Sequence, residues 1–168
     1  MSRNPLVKRV RRVEAVDPIV TTAGGFDYTD AFEVQLPVPD REPPEAWVRA
    51  GMGSTPAWAD WVAAVLLGIR GTSDAAVDEL AGGQVVESTS EVVHLAYSLP
   101  LMRVTVVGRR IAPSGRMLTT GLRFTRPWAA RVVWSVVGHG HRYMARRLLA
   151  GHLPDAKEPR RGNAGRAA

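Results

Sequence analysis

No cysteine occurs among the 168 residues, which excludes disulfides, thiolate metal sites and cysteine nucleophiles. Long apolar runs are missing too. The most apolar stretch, "WVAAVLLGI" at 61–69, has nine residues, where a membrane-spanning helix needs roughly 20. Membrane insertion is therefore not expected. The N-terminal "MSRNPLVKRVRRVEAVDPIV" has cations but no apolar core ahead of a small-residue cleavage site, so it makes a poor signal peptide and points to a cytoplasmic protein. A phosphate-binding loop, a dinucleotide fingerprint and a nucleophile elbow are all absent from the string, and no cofactor is implied.

Acidic residues are fewer than basic ones, and the formal charge is +6. That excess is uneven. Residues 1–12 carry Arg3, Lys8, Arg9, Arg11 and Arg12, for +5, and residues 153–168 carry a net +2, which leaves the body between them at −1. A neutral body offers no broad phosphate-binding field, so specific nucleic-acid binding is not expected. Salt-sensitive association with acidic surfaces through the ends remains open.

Three segments follow. Residues 1–25 read as a basic N-terminal tail or edge segment, 26–152 as a single domain, and 153–168, "LPDAKEPRRGNAGRAA", as a disordered tail rich in Pro, Gly and charge. Within the domain, "FDYTDAFEVQLP" (26–37) alternates as a half-buried strand does, with Phe32, Val34 and Leu36 on one side and Glu33 and Gln35 on the other. Pro43 and Pro44 then open a helix starting at Glu45. A second helix is expected over 56–69, capped by Ser54 or Thr55, with Trp58, Val62, Val65, Leu66 and Ile69 on one face. From 84 to 125 the chain reads as four strands, "QVVEST", "EVVHLAYSL", "LMRVTVVGRRI" and "RMLTTGLRFT", the last two joined by a turn at "APSG". Each has one richer apolar face, as expected of an antiparallel sheet covered on one side. After Pro127 a long helix is expected, from about Trp128 to Gly151, with an apolar face of Ala129, Val133, Val136, Val137, Gly140, Met144 and Leu148. The order predicts an α+β fold: an antiparallel sheet, two shorter helices between its first and second strands, and a long C-terminal helix laid across it.

"GHGHRYMARR" (138–147) contains His139 and His141. On a helix they lie about 200° apart and face opposite sides, so they cannot chelate one ion as an i, i+4 pair would. His152 is about 16 Å further along the axis from His141. No metal site is expected.

Certain strings resemble an uncharacterised bacterial family, domain of unknown function 2867. "DYTDAFEV" (27–34) looks like its opening strand and "PAWADWVAAVLLGIR" (56–70) like its Pro-x-Trp helix. "MLTTGLRF" (117–124) looks like its last strand, and "GHGHRYMARRLL" (138–149) like its terminal helix. The likeness covers about residues 26–150. It departs where Gly138 and Gly140 flank His139 in place of the family's proline. The architecture is similar to the wider helix-grip (START/SRPBCC-like) superfamily, whose curved sheet wraps a long helix and leaves a cavity; its members include ligand carriers, aromatic cyclases and hydroxylase domains. The five clear strands read here are fewer than that pattern has.

The resemblance implies a hydrophobic or aromatic small molecule bound between sheet and helix. Trp58, Tyr97, Thr120, Trp134 and His141 are the candidate lining, with Asp30 and Arg142 as polar partners. Asp30 shares strand parity with Phe32 and Val34, so it is either an inward acid bonded to a turn amide or paired with an arginine such as Arg123 or Arg142, or an unpaired buried carboxylate whose raised pKa would suit a catalytic acid. Two other functions stay open. One is an acid/base enzyme of cyclase or isomerase type using His141 and Asp30. The other is a non-catalytic interaction module or homodimer whose tryptophans fill the core.

Overall fold

The computed structural model describes residues 10–52, 79–80 and 83–150; the expected helix over 56–69, Trp58, His152 and the C-terminal tail lie outside them. The elements are β1 (Arg11–Val13), α1 (Pro18–Ala23), β2 (Tyr28–Gln35), α2 (Pro44–Met52), β3 (Glu79–Leu80), β4 (Gly83–Ser88), β5 (Val92–Ser98), β6 (Met102–Ile111), β7 (Gly115–Phe124) and α3 (Pro127–Ala150). The strands form one antiparallel sheet in the order β1-β2-β7-β6-β5-β4-β3. The fold is thus α+β, with an open antiparallel sheet and a long C-terminal helix. Two short edge strands, β1 and β3, extend the five read from the sequence.

Register places side chains in rows across the face turned toward α2 and α3. One row is Tyr28, Leu122, Val104 and Tyr97; the next is Asp30, Thr120, Val106 and Leu95; the third is Phe32, Leu118, Gly108 and Val93. Partners directly opposite on an antiparallel pair share a face, which is why strand parity alone sorts these residues inward. The third row is the densest. Its Phe32, Leu118 and Val93, with Leu95 of the second row, meet Trp47 and Val48 of α2 and Ala145 and Leu149 of α3, all essentially excluded from solvent. Each such side chain contributes about 1.5–3 kcal/mol by leaving water. Gly108 lets α2 come this close: a Cβ there would sit 2.9 Å from Val48 and 3.0 Å from Trp47 and Val93.

The sheet is not covered on one side only. On the outer face α1 packs Val20, with Val16, Ile19 and Phe26, against Val92 and Val107. Asp17 caps this helix by accepting a hydrogen bond from the Ile19 amide (2.9 Å), and Pro18 occupies the first turn. Gly24 and Gly25 end it with φ of 56° and 64°, a left-handed conformation that glycine adopts without a Cβ penalty. Asp17 itself is fully buried and ion-paired with Arg109, whose Nε and Nη2 donate to its two carboxylate oxygens. The segment expected as a tail or edge therefore supplies both a strand and a helix.

The buried line of α3 also differs from expectation. It runs through Ala130, Trp134, Gly138, His141, Ala145 and Leu149, and Val136, assigned to the inner face, is 69% exposed. The helix is turned by about 100°, one residue's step, from the face that apolar content alone selects. Two physical causes combine. Alanine and glycine along the buried line allow close approach to the sheet, and the sheet presents Asp30, which requires a polar partner rather than a valine.

Candidate functional site

Tyr28 and Asp30 leave β2 two residues apart and so share its inner face. The Tyr28 hydroxyl donates to Asp30 Oδ2 at 2.8 Å, and His141 Nε2 lies 3.4 Å from Asp30 Oδ1. The Asp30 side chain has no solvent exposure, while that of His141 keeps 21%. Trp134 stands between the two elements, its ring centroid 5.0 Å from that of Tyr28 and 5.1 Å from that of His141, both tilted. Such tilted aromatic contacts are favourable beyond their buried area. Thr120, 2% exposed, sits across from Asp30 on β7.

Helix periodicity explains how α3 builds its half of this cluster. Trp134, Gly138 and His141 are spaced four and three residues apart, one above another on a single face. A Cβ at Gly138 would lie 3.3 Å from the Trp134 indole. Glycine there clears space for the ring to lie back along its own helix. The helix continues from Pro127 to Ala150 as one element.

Burial pushes the Asp30 carboxyl pKa up. The hydrogen bond and charge of His141, the Tyr28 hydroxyl and the more distant Arg12 more than offset this and hold it below the ordinary carboxylate value. Tyr28 moves the other way: burial, then its bond to the Asp30 carboxylate and that charge, raise its pKa, while Arg142 and Arg12 act in opposition. The result is a carboxylate that stays ionised and a phenol that stays protonated, with an imidazole facing the same acid.

A depressed folded-state pKa has a definite consequence. Ionised Asp30 stabilises the fold above its unfolded-state pKa of about 3.9, and that contribution disappears as pH falls through the lower folded value. Asp30→Asn should lower stability by on the order of 1–3 kcal/mol at neutral pH, the range for a buried hydrogen bond to a charged group. Urea unfolding of both proteins as a function of pH checks this: the gap between wild type and variant should close in acid. A gap independent of pH would assign the loss to packing.

Of the residues singled out in the sequence, Asp30, Thr120, Trp134 and His141 come together, and Arg142 reaches the Tyr28 hydroxyl. Tyr97 is placed at the far end of the Tyr28 row, three strands away, with its hydroxyl 3.7 Å from Met52 Sδ and its pKa pushed up to about 12 by burial. Asp30 is held by Tyr28 and His141 rather than by Arg123 or Arg142; Arg123 instead donates to the carbonyls of Gly24 and Gly25. Tyr28 was missed, although its parity with Asp30 and Phe32 was readable. Also missed were Val104 and Val106, inner-face residues of β6, the fourth of seven strands in spatial order, which remain only partly buried.

A separate groove of about 410 Å³ is lined by Arg11, Glu33, Gln35, Leu36 and Pro37 at the β1–β2 edge and includes none of the expected site residues. Among the described residues no group of three or more His, Asp or Glu side chains could hold a metal ion, and no helix is long and apolar enough to cross a membrane. Comparison of the chain with protein-family models, with curated proteins and with solved structures finds no match in any of the three.

Proposed function

We propose that this chain binds a hydrophobic or aromatic small molecule between the inner face of its sheet and α3, in a helix-grip-like arrangement. The observation that carries this reading is the partial exposure of Val104 and Val106 at the centre of a sheet whose neighbouring inner positions, Leu95 and Leu122, are closed to solvent. Central inner-face valines are ordinarily among the most buried residues of a domain. Open apolar surface beside a few convergent polar groups is the usual make-up of a ligand pocket. Here the polar groups are Asp30, Thr120 and His141, the aromatic wall is Trp134 with Tyr28, and Tyr97 would close the far side.

Val106→Phe tests it. In an open site the larger ring fills unoccupied space, so stability should change by less than about 0.5 kcal/mol; in a filled core it would overpack, at about 1–3 kcal/mol. Native mass spectrometry of the purified full chain should show a bound small molecule, and that species should be lost in Val106→Phe and weakened about ten-fold in His141→Ala. A strongly destabilised Val106→Phe together with a ligand-free native spectrum would defeat the proposal in favour of a packed interaction module.

The Asp30–His141 approach favours a second reading, an acid/base enzyme of cyclase or isomerase type in the same space. A buried carboxylate facing an imidazole orients the ring, as a general acid or base requires. In this reading His141→Ala abolishes conversion of the bound molecule while leaving it bound. For a carrier, the same variant changes affinity only.

A further inference from the structure

The outward side of α3 is apolar and uncovered. Trp128, Val132, Val136 and Tyr143 are 78%, 62%, 69% and 51% exposed. Spaced four, four and seven residues apart, they fall within about 80° of one another around the helix and extend roughly 22 Å along it. A stripe of this size needs an explanation, because isolated surface valines are common and aligned ones with a tryptophan are not.

The charges on α3 indicate what it meets. Its 24 residues include Arg131, Arg142, Arg146 and Arg147 and no aspartate or glutamate. Among the described residues none of these arginines forms an ion pair with a carboxylate. By helical position Arg131 and Arg142 border the stripe on one side and Arg147 on the other, while Arg146 is level with Trp128 at its edge and His139 falls between Trp128 and Val132. A second copy of the chain laid stripe to stripe would set arginines against arginines with no acid on either helix. The stripe is also the convex back of a single helix, whereas a helical peptide is received in a groove.

We infer that α3 docks the protein on an anionic lipid surface, lying in the plane of the interface with Trp128, Val132, Val136 and Tyr143 turned into the headgroup–acyl boundary and Arg131 and Arg147 on lipid phosphates, while Arg142 and Arg146 stay against Tyr28 and Phe32. A basic face joined to an apolar one, with aromatic rings near both ends, suits that position and does not span the bilayer. The +5 carried by residues 1–12 would add attraction of the same sign.

Co-sedimentation of the full chain with vesicles of phosphatidylcholine alone, and of phosphatidylcholine mixed with phosphatidylglycerol, tests the inference. Binding should be at least about ten-fold stronger to the mixed vesicles and should weaken in about 0.5 M salt. The triple variant Trp128→Ala, Val132→Ser, Val136→Ser removes only exposed side chains and should keep its circular dichroism spectrum while losing about ten-fold in binding to mixed vesicles. Equal binding by wild type and triple variant would transfer the interaction to the basic ends and overturn the assignment. So would failure of the wild type to bind mixed vesicles, whether sedimentation then shows a dimer that the triple variant disrupts or the chain instead captures an acidic amphipathic peptide.

Discussion

Arg116→Met is expected to reduce the unfolding free energy by about 3–5 kcal/mol, the usual cost of breaking a buried ion pair from one side. Arg116 points inward from β7 between Val34 of β2 and Arg110 of β6, and both it and Asp40 are almost wholly buried. Its Nε and Nη2 donate to the two Asp40 oxygens at 2.7 and 2.9 Å, and Nη2 also donates to Glu42 at 2.8 Å. Its guanidinium stands 5.3 Å from the Trp47 ring. Planar two-point pairing of this kind fixes direction as well as distance, so lysine cannot replace it. Burial raises the Asp40 pKa, but the hydrogen bonds and charge of Arg116, the Glu42 amide and Arg110 together hold the carboxyl below its ordinary value. Methionine would fill much of the volume and leave that carboxylate buried without its partner. The double variant Arg116→Met, Asp40→Leu should recover most of the loss, because an apolar pair of similar size often matches a buried ion pair in stability. Urea denaturation followed by circular dichroism measures all three proteins. A single-variant loss below about 1 kcal/mol would mean that the Asp40 loop swings out to water instead.

Strand parity made much of this legible. It placed Asp30 with Phe32 and Val34, and Thr120 with Leu118 and Leu122, on the inner face where the register puts them. Parity works because a strand has only two sides, and a row of apolar neighbours decides between them. A helix has no such binary choice. Residues 127–150 are apolar around most of their circumference, so counting hydrophobics chose the side of Val133, Val136 and Val137, whereas the sheet receives the side of Trp134 and His141. The deciding term was the demand of a buried carboxylate for a donor, and that depends on a strand 111 residues away in sequence. Helix α1 is a different case. Its signals were local and complete, an Asp-Pro start and a Gly-Gly stop, but six residues between a basic stretch and a strand carry too little periodicity to stand out. The Arg116–Asp40 pair was not legible at all: nothing in "RMLTTGLRF" distinguishes an arginine that folds inward from one that ends in solvent.

Trp47→Ala should cost about 3–5 kcal/mol, and Trp47→Phe much less, under about 1.5 kcal/mol. Trp47 is fully buried where α2 meets the sheet, against Gly108 and beneath Arg116. Truncation to alanine removes the largest closed side chain of the core and leaves a void, since Gly108 has no side chain to move into it. The indole Nε1, however, is buried and has no hydrogen-bond partner among the described residues. Phenylalanine therefore loses volume and some cation–π attraction but breaks no hydrogen bond, and it removes a donor that gains nothing from being there. The two substitutions separate packing from polarity at one position. If thermal and urea unfolding placed Trp47→Phe as low as Trp47→Ala, the indole N–H would have to be bonded, with a bridging water in this polar corner the natural acceptor. The Arg116 Nη1, which is likewise buried with no hydrogen-bond partner among the described residues, would then be the second group held by that water.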